Sequence, residues 1–242
     1  MLLNNETIDD LGIKDYRIIQ KKEGFRFGVD AVLLGNFAEI KKGDKVIDLC
    51  SGTGIVPFII AGKRDAEKIV GIEIQEEFVE MARRSSSLNS LNGKVEFIKG
   101  DLKNHKLLEQ MGKFNAVTVN PPYKEADSSL LSLNEKERIA RFEIECSLDD
   151  VIKASKILLK DNGKLFMVHR PERMADIFET LRKYKIEPKR VRFIHPDIHK
   201  APNIILIEAQ NYGGKFLKIL PPLYVYENGG YSKEINKIYG RK

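Results

Sequence analysis

The amino-acid sequence predicts an α/β fold, in which helices alternate with the strands of a mostly parallel sheet. Two observations predict it. From residue 45 onward, short runs rich in β-branched residues alternate with longer amphipathic runs, a pattern typical of a parallel sheet with right-handed crossovers. Several of the short runs also end in acidic or polar residues. Because ligands of open α/β sheets bind at the carboxyl ends of the strands, we expect a binding site at that edge.

The composition is that of an ordinary soluble globular protein. Of its 242 residues, 42% are hydrophobic and 31% are charged, which suffices for one domain with a sizeable core. No apolar run has the length needed to cross a bilayer, and the N-terminus lacks the pattern of a signal peptide. We therefore expect one cytoplasmic, monomeric domain over residues 1–242, with an N-terminal arm and helix over residues 1–40 and a core with a C-terminal strand and tail over residues 41–242.

Cysteine and histidine usage argues against disulfides and metal ions. Cys50 and Cys146 are too few for a disulfide framework, and both are expected to be reduced thiols. His195 and His199 are four residues apart, but Pro196 lies between them and no third ligand is near. The sequence therefore predicts no metal site.

The first forty residues carry weak signals. Residues 1–15 are polar and acidic, which favours a loose arm or a short helix, and residues 16–20 favour a short strand. An apolar stripe over residues 29–38 predicts a helix, with Asp30 as its candidate N-cap.

A glycine turn follows the first predicted strand of the core. The strand over residues 45–50 contains Asp48 and leads into Ser51-Gly52-Thr53-Gly54 and an apolar helix over residues 55–61. A glycine turn between strand and helix lets a ligand approach bare backbone, and the helix N-terminus favours polar or negative groups. A Gly-x-Gly pattern by itself is weak support for a nucleotide site.

Acidic residues end the next two predicted strands. Glu73 ends the strand over residues 68–73, at the position where nucleotide-binding α/β folds hold a ribose diol; a helix N-cap or surface acid is the alternative. A helix is predicted from Gln75 to Leu91. Asp101 ends the strand over residues 95–101 and could accept a hydrogen bond from an adenine amine while Leu102 covers the ring. Capping of a helix over residues 103–111 explains Asp101 equally well.

The fourth predicted strand, Phe114 to Val119, runs into Asn120-Pro121-Pro122-Tyr123. The two prolines cannot donate to a sheet ladder, and they force extended geometry on the residues before them. The loop therefore presents a side-chain amide, bare carbonyls and an aromatic ring. Such acceptors suit a planar amine whose lone pair must attack an electrophile. A loop that follows a buried strand explains this stretch equally well when it is considered alone.

The rest of the chain continues the alternation. A long polar loop that turns helical occupies residues 124–147. The later predicted elements are helices over residues 148–159 and 171–184, strands over residues 164–169, 188–194 and 203–209, an extended piece over residues 216–226 and a short polar helix.

Positive charge concentrates in one stretch. The net charge is +6. Residues 181 to 203 include seven basic residues but only two acidic ones, Glu187 and Asp197. Charge alone does not separate a phosphate-binding rim from a solvated surface.

These motifs, in this order, resemble the class I S-adenosylmethionine-dependent methyltransferases with an Asn-Pro-Pro-Tyr motif. The resemblance implies a Rossmann-like, seven-stranded, mostly parallel sheet in the order 3-2-1-4-5-7-6, with helices on both faces and the last strand antiparallel. It also implies S-adenosylmethionine as the cofactor and a cofactor site formed by Asp30, Asp48, Cys50, Ser51, Gly52, Gly54, Glu73, Ile74, Asp101, Leu102 and Asn120.

A narrower resemblance covers nearly the whole chain. Segments at residues 25–35, 141–143, 167–173, 201–208 and 221–226 are similar to the bacterial tRNA1(Val) adenine-N6 methyltransferases, which modify the adenine beside the anticodon. The family often has histidine where this chain has Phe142. A tRNA substrate implies phosphate contacts by the basic residues Lys21, Lys22, Arg26, Arg182, Lys185, Lys189, Arg190, Arg192 and Lys200.

The implied chemistry is transfer of a methyl group to the adenine N6. The side-chain oxygen of Asn120 and the carbonyl of Pro121 would accept the two amine hydrogens, and Tyr123 would stack on the purine. The implied catalytic residues are Asn120, Pro121, Pro122 and Tyr123. The motif also suits a release-factor glutamine amide, guanine N2 of ribosomal RNA or adenine in DNA, and a non-catalytic nucleic-acid-binding module is the alternative from another class.

Overall fold

The computed structural model describes residues 2–23, 28–121 and 146–240. Its strands are β1 (Glu6–Asp10), β2 (Arg17–Lys21), β3 (Lys45–Leu49), β4 (Lys68–Glu73), β5 (Val95–Lys99), β6 (Phe114–Val119), β7 (Leu159–His169), β8 (Ile186–His195), β9 (Ile204–Asn211), β10 (Lys218–Ile219), β11 (Leu223–Tyr224), β12 (Tyr226–Glu227) and β13 (Gly230–Tyr231). Its helices are α1 (Val29–Phe37), α2 (Ile55–Lys63), α3 (Glu76–Leu88), α4 (His105–Gln110), α5 (Leu148–Leu158), α6 (Met174–Lys183), which a 3₁₀ turn (Pro171–Arg173) precedes, and α7 (Lys233–Ile238).

The central sheet contains the seven predicted strands in the predicted order. Its strands follow one another as β5-β4-β3-β6-β7-β9-β8. Neighbours are parallel, except that β9 is antiparallel to both β7 and β8. The predicted number of strands was too low, because β10 and β11 also pair in parallel with β8 and bring the sheet to nine. Pro221 and Pro222 lie between these two short strands, and prolines cannot donate to the ladder.

Helices cover both faces of the sheet. Along β3, Val46 faces the apolar core formed with α1, α2 and α3, whereas Ile47 faces the core formed with α4, α5 and α6. This alternation follows from the two-residue period of a strand, and it makes the strands buried on both sides. The prediction of helices on both faces is confirmed.

The N-terminal arm is more ordered than predicted. Residues 6–10 form a strand that pairs antiparallel with β2, so the expectation of a loose arm or short helix was wrong there. The hairpin is held by α3: the Arg84 guanidinium donates to Glu6, and the Ser85 hydroxyl accepts from the Ile19 N–H at 2.9 Å. These partners lie more than sixty residues away, so the local sequence does not display them.

Helix α1 begins one residue earlier than its predicted cap. Gly28 is the N-cap and Asp30 lies in the first turn, so the prediction of Asp30 as the N-cap was wrong. An acidic side chain in a first turn still interacts favourably with the helix dipole.

Candidate active site

The predicted site residues meet at the carboxyl edge of the sheet. Leu49 is level with Ile72 of β4 and with Val119 of β6, and Glu73 is level with Lys99 of β5. The segments that leave these four strands therefore start side by side. They carry Cys50 to Gly54, Ile74, Asp101 and Asn120.

The glycine turn after β3 is a tight backbone cradle. Gly52 and Gly54 have φ angles of 53° and 90°, in the left-handed region that favours glycine. A Cβ on Gly54 would lie 2.5 Å from the Phe97 ring, whereas a Cβ on Gly52 would meet nothing within 4 Å. Gly54 therefore serves packing and caps α2, while Gly52 presents bare backbone to open space, as a nucleotide-like ligand requires.

This difference gives a test in matched variants. Gly54→Ala is expected to lower the free energy of unfolding by about 1–3 kcal/mol, because the strain of a positive φ and the clash of the new Cβ with the Phe97 ring both destabilise the folded state. Gly52→Ala has the backbone cost without the ring contact, so its loss is expected to be smaller. The urea midpoints of the two variants measure this, and equal losses would contradict the assigned roles.

Glu73 joins the glycine turn to the start of α3. The side chain is only 7% exposed. Its Oε2 accepts from the Gly52 N–H at 2.9 Å, and its Oε1 accepts from the N–H of Gln75, the N-cap of α3, at 3.0 Å. Glu73 thus supports the helix terminus, but the alternatives of an N-cap or a surface acid were wrong, because the N-cap is Gln75 and the Glu73 side chain is buried. Each carboxylate oxygen keeps a second lone pair, so a ribose diol can still donate to it.

Asp48 is a buried carboxyl at the floor of the site. It is 2% exposed, and its Oδ1 accepts from the Thr118 hydroxyl at 2.6 Å. Burial raises the pKa of Asp48 to about 7, and the hydrogen bond from Thr118 opposes this rise. The nearby Ser51 hydroxyl also acts to lower this pKa, but within the described residues Ser51 Oγ has no hydrogen bond of ordinary geometry.

The floor can therefore receive a polar, cationic ligand, because Asp48 can ionise near neutral pH and Ser51 Oγ has unused hydrogen-bonding capacity. The contact of Thr118 with Asp48 was not predicted from the sequence. The feature that could have indicated this contact is a single hydroxyl residue within the apolar run of β6. Thr118 is fully buried and pairs with Asp48 of the neighbouring strand β3.

Asp101 and Leu102 lie beside this floor. Asp101 is exposed, and its Oδ1 accepts from the Lys103 N–H at 2.9 Å. Capping of the following helix belongs to Asn104, whose side chain accepts from the Leu107 N–H at 3.1 Å. The alternative that Asp101 caps this helix was therefore wrong. Leu102 is buried against the α4–α5 face of the core, and Ile74 is an exposed apolar side chain next to Glu73.

Asn120 and Pro121 follow β6 directly. Asn120 is half-buried and Pro121 is buried. Within the part of the chain that the structure describes, the Asn120 side chain makes no hydrogen bond, so its oxygen is available to a ligand. The predicted Pro122 and Tyr123, the basic residue Arg26 and the substituted position Phe142 lie outside the described residues.

The two cysteines lie against each other at this edge. Both are free thiols, and Cys146 directly precedes Ser147, the N-cap of α5. Their mutual hydrogen bond, followed by burial, raises the pKa of Cys50, and the same bond lowers the pKa of Cys146. Cys50 therefore stays a neutral thiol beside the glycine turn.

The predicted RNA-binding residues do not form one rim. Arg182 donates twice to Glu187, and Arg192 donates twice to Glu234. Four more predicted cations have intramolecular partners: Arg190 with Glu208 and Glu39, Lys189 with two carbonyls, Lys200 with Asp197, and Lys21 with Glu77. Among the described residues, the ammonium groups of Lys22 and Lys185 have no ion pair. Strand β8 further separates Arg182 and Lys185, before its start, from Lys200, after its end.

Comparison with known proteins identifies the class of enzyme. A family model described as the methyltransferase small domain matches residues 28–190. The chain belongs to this family. The match confirms the predicted class of enzyme, a methyltransferase, and supports S-adenosylmethionine as its cofactor.

Relatives with related sequences share one name. A protein of Porphyromonas gingivalis named tRNA1(Val) (adenine(37)-N6)-methyltransferase is 26% identical over 206 residues, which cover 83% of this chain and 80% of that protein. A protein of the same name from a Flavobacteriaceae bacterium is 25% identical over 215 residues and 88% of each chain. The predicted resemblance to this family is confirmed at low identity over most of the chain.

Solved structures show the same methyltransferase fold. A predicted O-methyltransferase of Agrobacterium tumefaciens superposes with a TM-score of 0.69 at 21% identity, over 87% of this chain and 95% of that chain. A tRNA m1G37 methyltransferase of M. jannaschii superposes with a TM-score of 0.57 at 19% identity, over 88% of this chain and 59% of that chain. At such identities the likeness concerns the fold.

The described residues contain neither a metal-binding cluster nor a membrane-spanning helix. No group of three or more histidine, cysteine or acidic side chains there is arranged to hold a metal ion. None of the helices described combines the length and the apolar character that crossing a membrane requires.

Proposed function

We propose that this methyltransferase small domain protein transfers the methyl group of S-adenosylmethionine to N6 of an adenine in a tRNA anticodon loop, next to the anticodon. The observation that carries the proposal is the meeting of Asp48, Glu73 and Asn120 at one sheet edge in a chain whose relatives are named for this reaction. We further propose that residues 1–242 act as one domain, as a cytoplasmic monomer without a metal ion.

The residues at the edge fit a cationic nucleoside cofactor. The open backbone at Gly52 leaves room for a ligand, and Glu73 would accept from the ribose hydroxyls. Ionised Asp48 would attract a cationic amino-acid moiety, and exposed Asp101 would accept from an adenine amine. Asp30, Cys50, Ser51, Gly54, Ile74 and Leu102 complete the proposed cofactor site. When bound, the cofactor supplies a methyl group that its positively charged sulfur already activates.

Asn120 would hold the target amine. The lone pair of the adenine N6 is conjugated into the ring, so this nitrogen attacks well only when it moves toward tetrahedral geometry. The Asn120 side-chain oxygen and the Pro121 carbonyl would accept its two hydrogens and favour that shape. No strong general base is required, so positioning would supply most of the catalysis. An unpaired loop base is also easier to extrude than a base in a duplex.

Nucleoside mass spectrometry of tRNA from a strain that lacks the gene tests this proposal. We expect loss of N6-methyladenosine from one tRNA, with the lost modification mapping beside the anticodon, and its return when the gene is restored. Unchanged tRNA, with loss of methylation on ribosomal RNA, DNA or a release factor, would overturn it and identify one of the other planar-nitrogen substrates.

A further inference from the structure

A cleft lies at the opposite edge of the sheet. The cleft has a volume of about 590 Å³ and is lined by Arg182, Lys185, Glu187, Tyr212, Gly213 and Lys215. It lies where α6 turns into β8 and where β9 ends. Through the strand pairings, Val119 at the end of β6 is level with Val191 of β8, five residues after the start of β8. The cleft and the candidate active site are therefore about 17 Å apart along the strands and about 14 Å apart across them, or roughly 20 Å in all. One nucleotide cannot occupy both.

The cleft has unpaired positive charge. Glu187, its only acidic lining residue, is already bound by the two donors of Arg182. Lys185 and Lys215 are exposed, and neither ammonium has an ion pair within the described residues. Most predicted RNA-binding cations elsewhere are neutralised internally, whereas these two lysines remain available to an anionic partner.

Exposed aromatic rings accompany these lysines. Tyr212 is 54% exposed and lines the cleft, and the Lys156 ammonium lies 3.4 Å from its ring centroid. Phe216, one residue after Lys215, is 90% exposed. Aromatic rings interleaved with lysines are the pattern that binds nucleic-acid strands, because bases stack on the rings while phosphates contact the ammonium groups.

Hydrogen bonds hold the backbone of the turn that carries these side chains. Tyr212 and Phe216 have φ angles of 54° and 85°, which cost free energy for residues with a side chain. The Tyr212 N–H donates to the Lys185 carbonyl at 2.8 Å. The Lys189 ammonium donates to the carbonyls of Gly214 and Lys215 at 2.8 and 3.0 Å. Lys189 therefore holds the turn that presents Lys215 and Phe216.

We propose that this cleft binds a part of the RNA substrate that is remote from the target adenine, with phosphates against Lys185 and Lys215 and a base on Tyr212 or Phe216. The inference rests on the proposed function, since it requires an RNA substrate. Because of the distance of roughly 20 Å, the RNA must extend beyond the modified loop. A complete tRNA would therefore fill the cleft, and a short anticodon stem-loop would leave it open.

The test compares two RNAs on the full-length protein. In Lys185→Glu with Lys215→Glu, we expect binding of complete tRNA to weaken at least about tenfold, and the slope of log K against log salt to fall by about 2, near 0.9 for each lost phosphate contact. Binding of the anticodon stem-loop and of S-adenosylmethionine is expected to stay unchanged. Tyr212→Ala with Phe216→Ala should weaken complete tRNA binding without changing the salt slope.

Lys41→Glu with Lys42→Glu is the matched control, because it makes the same charge change at exposed residues before β3. If the cleft variant binds complete tRNA as this control does, or loses the stem-loop and the complete tRNA equally, the inference is overturned. If the wild-type protein neither binds nor methylates tRNA, the proposed function fails. If the wild-type protein methylates tRNA and the cleft variant binds complete tRNA as the control does, the proposed function stands and only the proposed role of the cleft is rejected.

Discussion

Asn120→Ala is expected to remove most methyl transfer while leaving the affinity for S-adenosylmethionine nearly unchanged. The side-chain oxygen of Asn120 is unused by the described part of the protein and is proposed to hold the target amine. Removing one preorganised polar group from an active site typically lowers kcat by about 10²- to 10³-fold. Single-turnover methyl transfer measures the rate, and calorimetry measures cofactor binding.

Asn120→Asp is the matched variant. It keeps an oxygen at the same position, so it is expected to retain more activity than Asn120→Ala. Normal turnover in Asn120→Ala would contradict the proposed role. Parallel loss of cofactor binding in that variant would instead assign Asn120 to the cofactor site.

Asp48→Asn is expected to make the protein more stable above pH 7 and to weaken cofactor binding. Burial raises the pKa of Asp48 to about 7, from an ordinary value of 3.8. Between these values the folded state binds more protons than the unfolded state, so the contribution of Asp48 to stability falls as pH rises from about 4 to 7. Asparagine does not titrate, and the gain above pH 7 could reach roughly 4 kcal/mol.

The same variant separates stability from function. Ionised Asp48 is expected to attract the cationic cofactor, so wild-type affinity should rise as pH increases through about 7, and the affinity of Asp48→Asn should not. Urea unfolding and calorimetry at pH 5.5 and 8.5 measure both effects. The control is Asp65→Asn, whose carboxyl is exposed. Equal free energies of unfolding for wild type and Asp48→Asn at high pH would show that burial of the ionised Asp48 carboxylate does not destabilise the folded state.

The convergence of the strand-ending polar residues was predictable because the order of the strands determines which residues meet. Once β3, β4, β5 and β6 are parallel neighbours, Asp48, Glu73, Asp101 and Asn120 must start from one edge. The glycine turn was a weaker signal, because the close approach of Phe97 that requires glycine at residue 54 is visible only in the structure.

Features that depend on distant partners were not predictable from the sequence. Strand β1 is fixed by α3 through Glu6 and Arg84, and the hydroxyl on Asp48 comes from Thr118 of another strand. Most ion pairs of the basic stretch were unpredictable for the same reason: Glu39, Glu208 and Glu234, which pair with Arg190 and Arg192, lie elsewhere in the chain. A count of charges along the sequence cannot distinguish paired from unpaired cations.

The most direct test of the central claim is the position of the methyl group after reaction of the purified protein with labelled S-adenosylmethionine and a synthetic tRNA. The predicted result is a single label on N6 of the adenine beside the anticodon, absent when that adenine is replaced by guanine and strongly reduced with Asn120→Ala. Label on another atom or another nucleotide, or full transfer by Asn120→Ala, would contradict the assignment of this sheet edge as an adenine-N6 methylation site.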